Sequence, residues 1–159
     1  MEFIYRSLKL YLDTSIPNFL FAEDAPDKQE MTKEFFQKRY RNQFELFISG
    51  VVISEIEKAP PMKRDLLLAV IEGISILEIN QEAETLALAY IKSGALPKTS
   101  LDDARHVAIA TIHNLDAVVS WNFKHLVNLR RIKMVHLVNE QMGYKHIEII
   151  SPQEIVENL

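Results

Sequence analysis

The chain has no cysteine in its 159 residues. That excludes disulfides, thiolate metal sites and cysteine nucleophiles, and it fits a reducing compartment. With only 4 glycines and 6 prolines, turns are sparsely punctuated, and no repeat, low-complexity tract or linker interrupts the sequence. No apolar run approaches the roughly 18 residues of a membrane span. The start, Met1-Glu2-Phe3-Ile4-Tyr5-Arg6, lacks the basic-then-apolar order of a signal peptide. A soluble cytoplasmic protein, with no membrane partner, is the expectation. A basic excess is missing too: 22 acids outnumber 18 Lys and Arg, for a net charge of −4, so the whole-molecule field does not attract nucleic acid. What is present is 48% hydrophobic and 25% charged residues, enough for a buried core in one domain spanning 1–159.

Short apolar or β-branched runs at 9–13, 46–49, 74–79, 117–120 and 146–150 read as strands. Helical spacing fills the intervals at 27–44, 62–72, 81–92, 100–113 and 129–141. Gly94 and Gly143 stand where helix stops belong. A brief segment, 51–58, follows the second strand and is closed off by Pro60-Pro61. Strands alternating with helices predict an α/β fold, a three-layer α/β/α sandwich around a central, mostly parallel sheet.

Leu10-Tyr11-Leu12-Asp13-Thr14-Ser15 is an apolar run that stops at an acid, with hydroxyls ready to open a helix. Asp13 therefore lies at the carboxyl end of the first strand, where ligands gather in open parallel sheets. Glu55 sits just past the second strand, Asp102 and Asp103 open the helix before the fourth, and Asn122 follows the fourth in Ser120-Trp121-Asn122-Phe123. Each has an ordinary reading as well: Asp13 as an N-cap, Glu55 as a surface acid, Ser100 to Asp103 as a capping box, Asn122 as a turn residue. Together they predict converging oxygens. Two carboxylates about 4 Å apart repel by roughly 4 kcal/mol at an effective dielectric of about 20. A proton or a hard cation, Mg²⁺ or Mn²⁺, would relieve that repulsion. Phosphodiester hydrolysis is the chemistry that uses such a site, and it requires no protein nucleophile.

Leu12-Asp13-Thr14-Ser15, Ser54-Glu55, Asp103-Ala104-Arg105-His106-Val107-Ala108 and Val119-Ser120-Trp121-Asn122 resemble, in order and spacing, the motifs of the PIN domain, the fold of VapC-type toxin ribonucleases. The resemblance implies sheet order 3-2-1-4-5 and a Mg²⁺- or Mn²⁺-dependent endoribonuclease acting on RNA. It also implies an antitoxin protein as partner and a homodimer. Asp13, Glu55 and Asp103 fall on the family's acidic positions as metal ligands. Asp103 rather than Asp102 takes the third, because the family's acid directly precedes a small residue. Asn122 departs from the usual aspartate. It offers a carbonyl oxygen without charge, which implies a weaker second metal site or a single-metal site. Thr14 or Ser15 would hold Asp13 or a water by hydrogen bond, and Arg105, on a different side of the helix from Asp103, receives no phosphate contact.

The 5 histidines show no zinc spacing. His106 and His113, two turns apart, read as packing or surface. Trp121 reads as a residue capping the sheet edge, with base stacking as the alternative. Phe19, Leu20 and Phe21 form an apolar stripe for the core or a dimer interface. Basic clusters stand at Lys38-Arg39-Tyr40-Arg41, Lys63-Arg64 and Arg130-Arg131-Ile132-Lys133. The competing function is a PIN-fold RNA- or protein-binding module without turnover. An aspartyl-phosphate phosphatase is disfavoured because Ser15 occupies the place of that class's second Asp.

Overall fold

The computed structural model describes residues 7–38 and 43–158. Five strands, β1 (Leu8–Leu12), β2 (Phe44–Ser49), β3 (Ser75–Leu77), β4 (Ala117–Val119) and β5 (Glu148–Ile150), form one sheet in the order β3-β2-β1-β4-β5. All four pairings are parallel. Eight helices flank it: α1 (Ser15–Phe19), α2 (Pro26–Lys38), α3 (Gly50–Glu57), α4 (Pro61–Ile71), α5 (Gln81–Lys92), α6 (Leu101–Ile112), α7 (Leu129–Gln141) and α8 (Pro152–Asn158). α2 packs against α1 and α8, while α5 packs against α6 and α7. The architecture is the predicted α/β sandwich, and the sheet is entirely parallel.

β1 is central, with Leu10 aligned to Leu46 on one side and to Ala117 on the other. Leu10, Tyr11 and Leu12 are buried, as a strand covered on both faces requires. Because the chain winds outward through β2 and β3 before returning to β4, the direction of winding reverses between β1 and β4. A crevice opens at the carboxyl ends of strands at such a reversal. Asp13 and Ser120 emerge there side by side, and the Asp13 amide still bonds to the Val119 carbonyl at 3.2 Å.

Several local expectations change. The second helix ends at Lys38, and Phe44 opens β2, where it pairs with Leu8. Tyr40 and the Arg39 to Arg41 part of the first basic cluster lie outside the described residues. Pro60 and Pro61 do more than end α3: Pro60 is the N-cap of α4 and Pro61 its first residue, where a missing N–H costs nothing. Strand β5 starts at Glu148 rather than at residue 146, and the His146 ring stacks on His136 at 4.1 Å. Helix α8 is an element the apolar pattern did not announce. Gly94 and Gly143 take left-handed φ of 79° and 82° just past α5 and α7, as helix stops do.

The lesser basic clusters are surface features. Lys63 and Arg64 lie on α4, with Arg64 3.7 Å from its neighbour Asp65. Arg131 donates to the carbonyls of Gly94 and Ala95 at 3.1 Å each, tying α7 to the end of α5. Among the described residues no helix is long and apolar enough to cross a membrane.

Candidate active site

Asp13 leaves β1 at the reversal point and is 3% exposed. Its Oδ1 accepts from the Ser15 amide at 3.0 Å and from the Ser15 hydroxyl. The Ser120 hydroxyl adds a further bond. Burial nevertheless pushes its carboxyl above the usual range, against the pull of His106 and these donors. The Ser15 hydroxyl also accepts from the Trp121 amide at 2.9 Å, which locks the β1 and β4 exits together. Of the two hydroxyls expected near Asp13, Ser15 holds it and Thr14 goes elsewhere.

Thr14 donates to Glu55 Oε1 at 2.8 Å. Glu55 stands on α3, which begins because the Ser49 side chain accepts from the Val51 amide at 3.2 Å. The same Oε1 lies 2.8 Å from His106 Nε2. His106 Nδ1 meets the Tyr11 hydroxyl at 2.6 Å, and that hydroxyl meets Ser49 Oγ at 2.7 Å. A continuous chain of hydrogen bonds thus runs from buried Ser49 through Tyr11 and His106 to half-buried Glu55. Burial opposes a charge on either end of the ion pair, yet each is carried past it by the other. His106 is raised above its usual value by Glu55, Asp13 and Asp103, and Glu55 is lowered by His106 and Thr14. The sequence pattern, which suggests packing or surface for His106, misses this role. His106 faces the acids because it lies one turn along α6 from Asp103. His113, two turns further on, is the C-cap beyond the end of α6 and is exposed.

Asp103 accepts from the Asn122 side-chain amide at 3.2 Å. Burial first, then the charges of Asp13, Glu55 and Asp102, push its carboxyl up to about 6, although His106 pulls the other way. Asn122 spends its own carbonyl oxygen on the His125 amide at 3.0 Å. Asp102 turns away: it binds Arg105 at 3.1 Å, and Arg105 also grips Glu84 at 2.9 and 3.0 Å. The expected capping box at Ser100 does not form. Ser100 makes no side-chain cap bond, and its hydroxyl goes to His125 Nδ1 at 3.2 Å. Trp121 is 4% exposed with its indole N–H on Thr32 at 2.9 Å, so it packs at the sheet edge and offers no face for stacking. Phe19, Leu20 and Phe21 are half-buried, Phe19 against Trp121 at 5.8 Å.

The structure thus brings Asp13, Glu55, Asp103 and Asn122 to one crevice and leaves Asp102 outside it. A cleft of about 460 Å³ lies alongside, lined in part by Lys58, Asp102 and Arg105. The acidic side chains of the crevice offer carboxylate oxygens, and two of them, buried Asp13 and half-buried Asp103, are held above their ordinary range, which is the chemistry a hard divalent cation satisfies. Among the described residues, no group of three or more His, Asp or Glu side chains is arranged to hold a metal ion as the side chains stand. Mg²⁺ does not demand such a cage. It commonly takes one or two carboxylates and fills its remaining positions with water and substrate phosphate. Asp13 and Asp103 fit that pattern.

No family model and no curated protein matches the chain. Among solved structures it is similar to a chain of VapBC2 from Rickettsia felis, crystallised bound to a DNA fragment from their promoter. The TM-score is 0.59 at 14% identity, covering 91% of this chain and 98% of that one. The shared feature at that identity is the fold.

Proposed function

We propose that the protein is a divalent-cation-dependent endoribonuclease of the VapC type, the toxin of a toxin–antitoxin pair. The observation that carries the reading is the pairing of Asp13 with Asp103. Asp13 is buried and Asp103 half-buried at the β1/β4 crevice, both are pushed above the ordinary carboxylate range, and neither is given an Arg or Lys partner among the described residues. The motif order along the chain and the fold shared with VapBC2 support it. Asp13 and Asp103 would hold Mg²⁺ or Mn²⁺. Bound there, the ion would supply Lewis acidity for attack of water on a phosphodiester.

The chain's own residues prepare the site. Ser15 and Ser120 aim the Asp13 carboxylate, and Asn122 aims that of Asp103. His106 and Thr14 hold Glu55 Oε1, which keeps Glu55 ionised and leaves its other oxygen outside both bonds, where it would serve as a water ligand or a third donor. In the VapBC2 comparison lies the support for an antitoxin as partner, with the same acidic crevice as the surface such a partner would block.

RNA cleavage in Mg²⁺ or Mn²⁺, with and without chelator, tests the reading. The parent cleaves only with metal, and Asp13→Asn does not cleave. Metal-independent cleavage, or an Asp13→Asn variant as fast as the parent, overturns it. One observation favours a binding module without turnover: Asn122 brings no charge and has committed both ends of its amide. Metal binding without any cleavage would select that reading.

A further inference from the structure

Lys28, on α2, directs its ammonium at three aromatic rings. The centroids of Phe19, Trp121 and Phe123 lie at 5.4, 5.6 and 5.1 Å. All three distances are within cation–π reach. Among the described residues no carboxylate lies within ion-pair distance of Lys28. The floor of this cradle is rigid, because Trp121 is buried and fixed to Thr32. Its outer wall is open: Phe123 stands edge-on to Trp121 at 5.9 Å and is 42% exposed. The cradle also adjoins the acids. Asn122, between Trp121 and Phe123, donates to Asp103, and the Trp121 amide donates to the hydroxyl that holds Asp13.

A protein of net charge −4 that gathers acids in a crevice repels a polyanion from that crevice. To hold one there, it needs a positive charge and a stacking surface at the rim. We infer that the Lys28 cradle is the subsite for the nucleotide flanking the cleaved bond, an inference that rests on the ribonuclease reading. Phe123 stacks an unpaired base, and the Lys28 ammonium, held in place by the rings, contacts the adjoining phosphate. An exposed ring of this kind reads single strands, whose bases are free to leave their neighbours. Phe19 and Trp121 are positioning residues that keep the ammonium aimed.

Steady-state cleavage of a labelled single-stranded oligouridylate tests this with Lys28→Gln, Lys28→Arg and Phe123→Ala. Lys28→Gln and Phe123→Ala each raise KM about tenfold with kcat within about twofold of the parent, and Lys28→Arg recovers most of the loss. Lys28→Gln also lowers the salt dependence of oligonucleotide binding, measured by anisotropy in chelator, by about one ion. Variants with the parent's KM, or with kcat lost and KM unchanged, overturn the subsite while parent cleavage leaves the ribonuclease reading standing. A parent that neither binds nor cleaves the oligonucleotide removes both.

Discussion

Asp102 and Asp103 sit side by side at the start of α6, and their side chains lead separate lives. Asp102 turns out to Arg105, which also binds Glu84, so two acids share a guanidinium at the surface. Asp103 turns in, meets only the neutral amide of Asn122, and faces Asp13 and Glu55 across the crevice. One step in sequence separates a charge already neutralised from a charge that is not. Acid count therefore says little about where a cation binds. What matters is whether a carboxylate has been given its counter-charge by the chain itself. Glu55 makes the same point from the other side, since His106 partly supplies its counter-charge.

The comparison breaks most visibly in catalysis. Asp103→Asn lowers the rate of RNA cleavage at least about 100-fold, while Asp102→Asn stays within about twofold, measured as initial rates in Mg²⁺. Equal losses in the two variants would erase the distinction between the two aspartates. Next comes His106→Ala, which strands Glu55 and Tyr11 without their buried partner. Urea denaturation shows a loss of about 3 kcal/mol. Asn122→Asp adds a hard anionic oxygen opposite Asp103 and tightens divalent-metal binding about tenfold by calorimetry. Unchanged affinity would place residue 122 away from the ion. Smallest is Arg105→Ala. Its side chain is 30% exposed, so the surface pairs it loses are worth at most about 1 kcal/mol.

Acidity sharpens the same contrast. Burial pushes the Asp103 carboxyl up to about 6 in the folded chain, against an ordinary value of 3.8. The native state therefore holds its proton where the unfolded chain has lost it. Its stabilising contribution is fully present below 3.8 and is lost as pH rises through about 6. His106, also raised, acts in the same direction from 6.5 upward. Glu55 is lowered, so its contribution is present above 4.5 and is lost as pH falls below that value. Metal-free protein accordingly gains thermal stability as pH drops from 7 toward 5, and Asp103→Asn flattens much of that rise. A parent that loses stability over this interval would contradict the assigned environments.

Much of the fold was legible because it is local. Each of the five strands is a short apolar run cut off by polar or turn residues, and the parallel sheet follows from helices between them. The overlong second helix shows the limit. Phe35, Phe36 and Phe44 continue a helical spacing, and only the pairing of Phe44 with Leu8, across the sheet, makes it a strand. Helix α8 did carry a signal, Ser151 before Pro152 with Glu154 in the first turn, which the apolar pattern of β5 overshadowed. In the site, Asp13 and Asp103 stood out as acids at element ends. His106 did not, because its partners Glu55 and Tyr11 are 51 and 95 residues away in sequence. The missing Ser100 cap is of the same kind: His125, 25 residues on, takes the hydroxyl.

Anomalous diffraction from crystals soaked in Mn²⁺ tests the central claim most directly. The account predicts a manganese peak in contact with the carboxylates of both Asp13 and Asp103. A peak at Asp102 and Glu84 instead, or none at the crevice under saturating Mn²⁺, would contradict it.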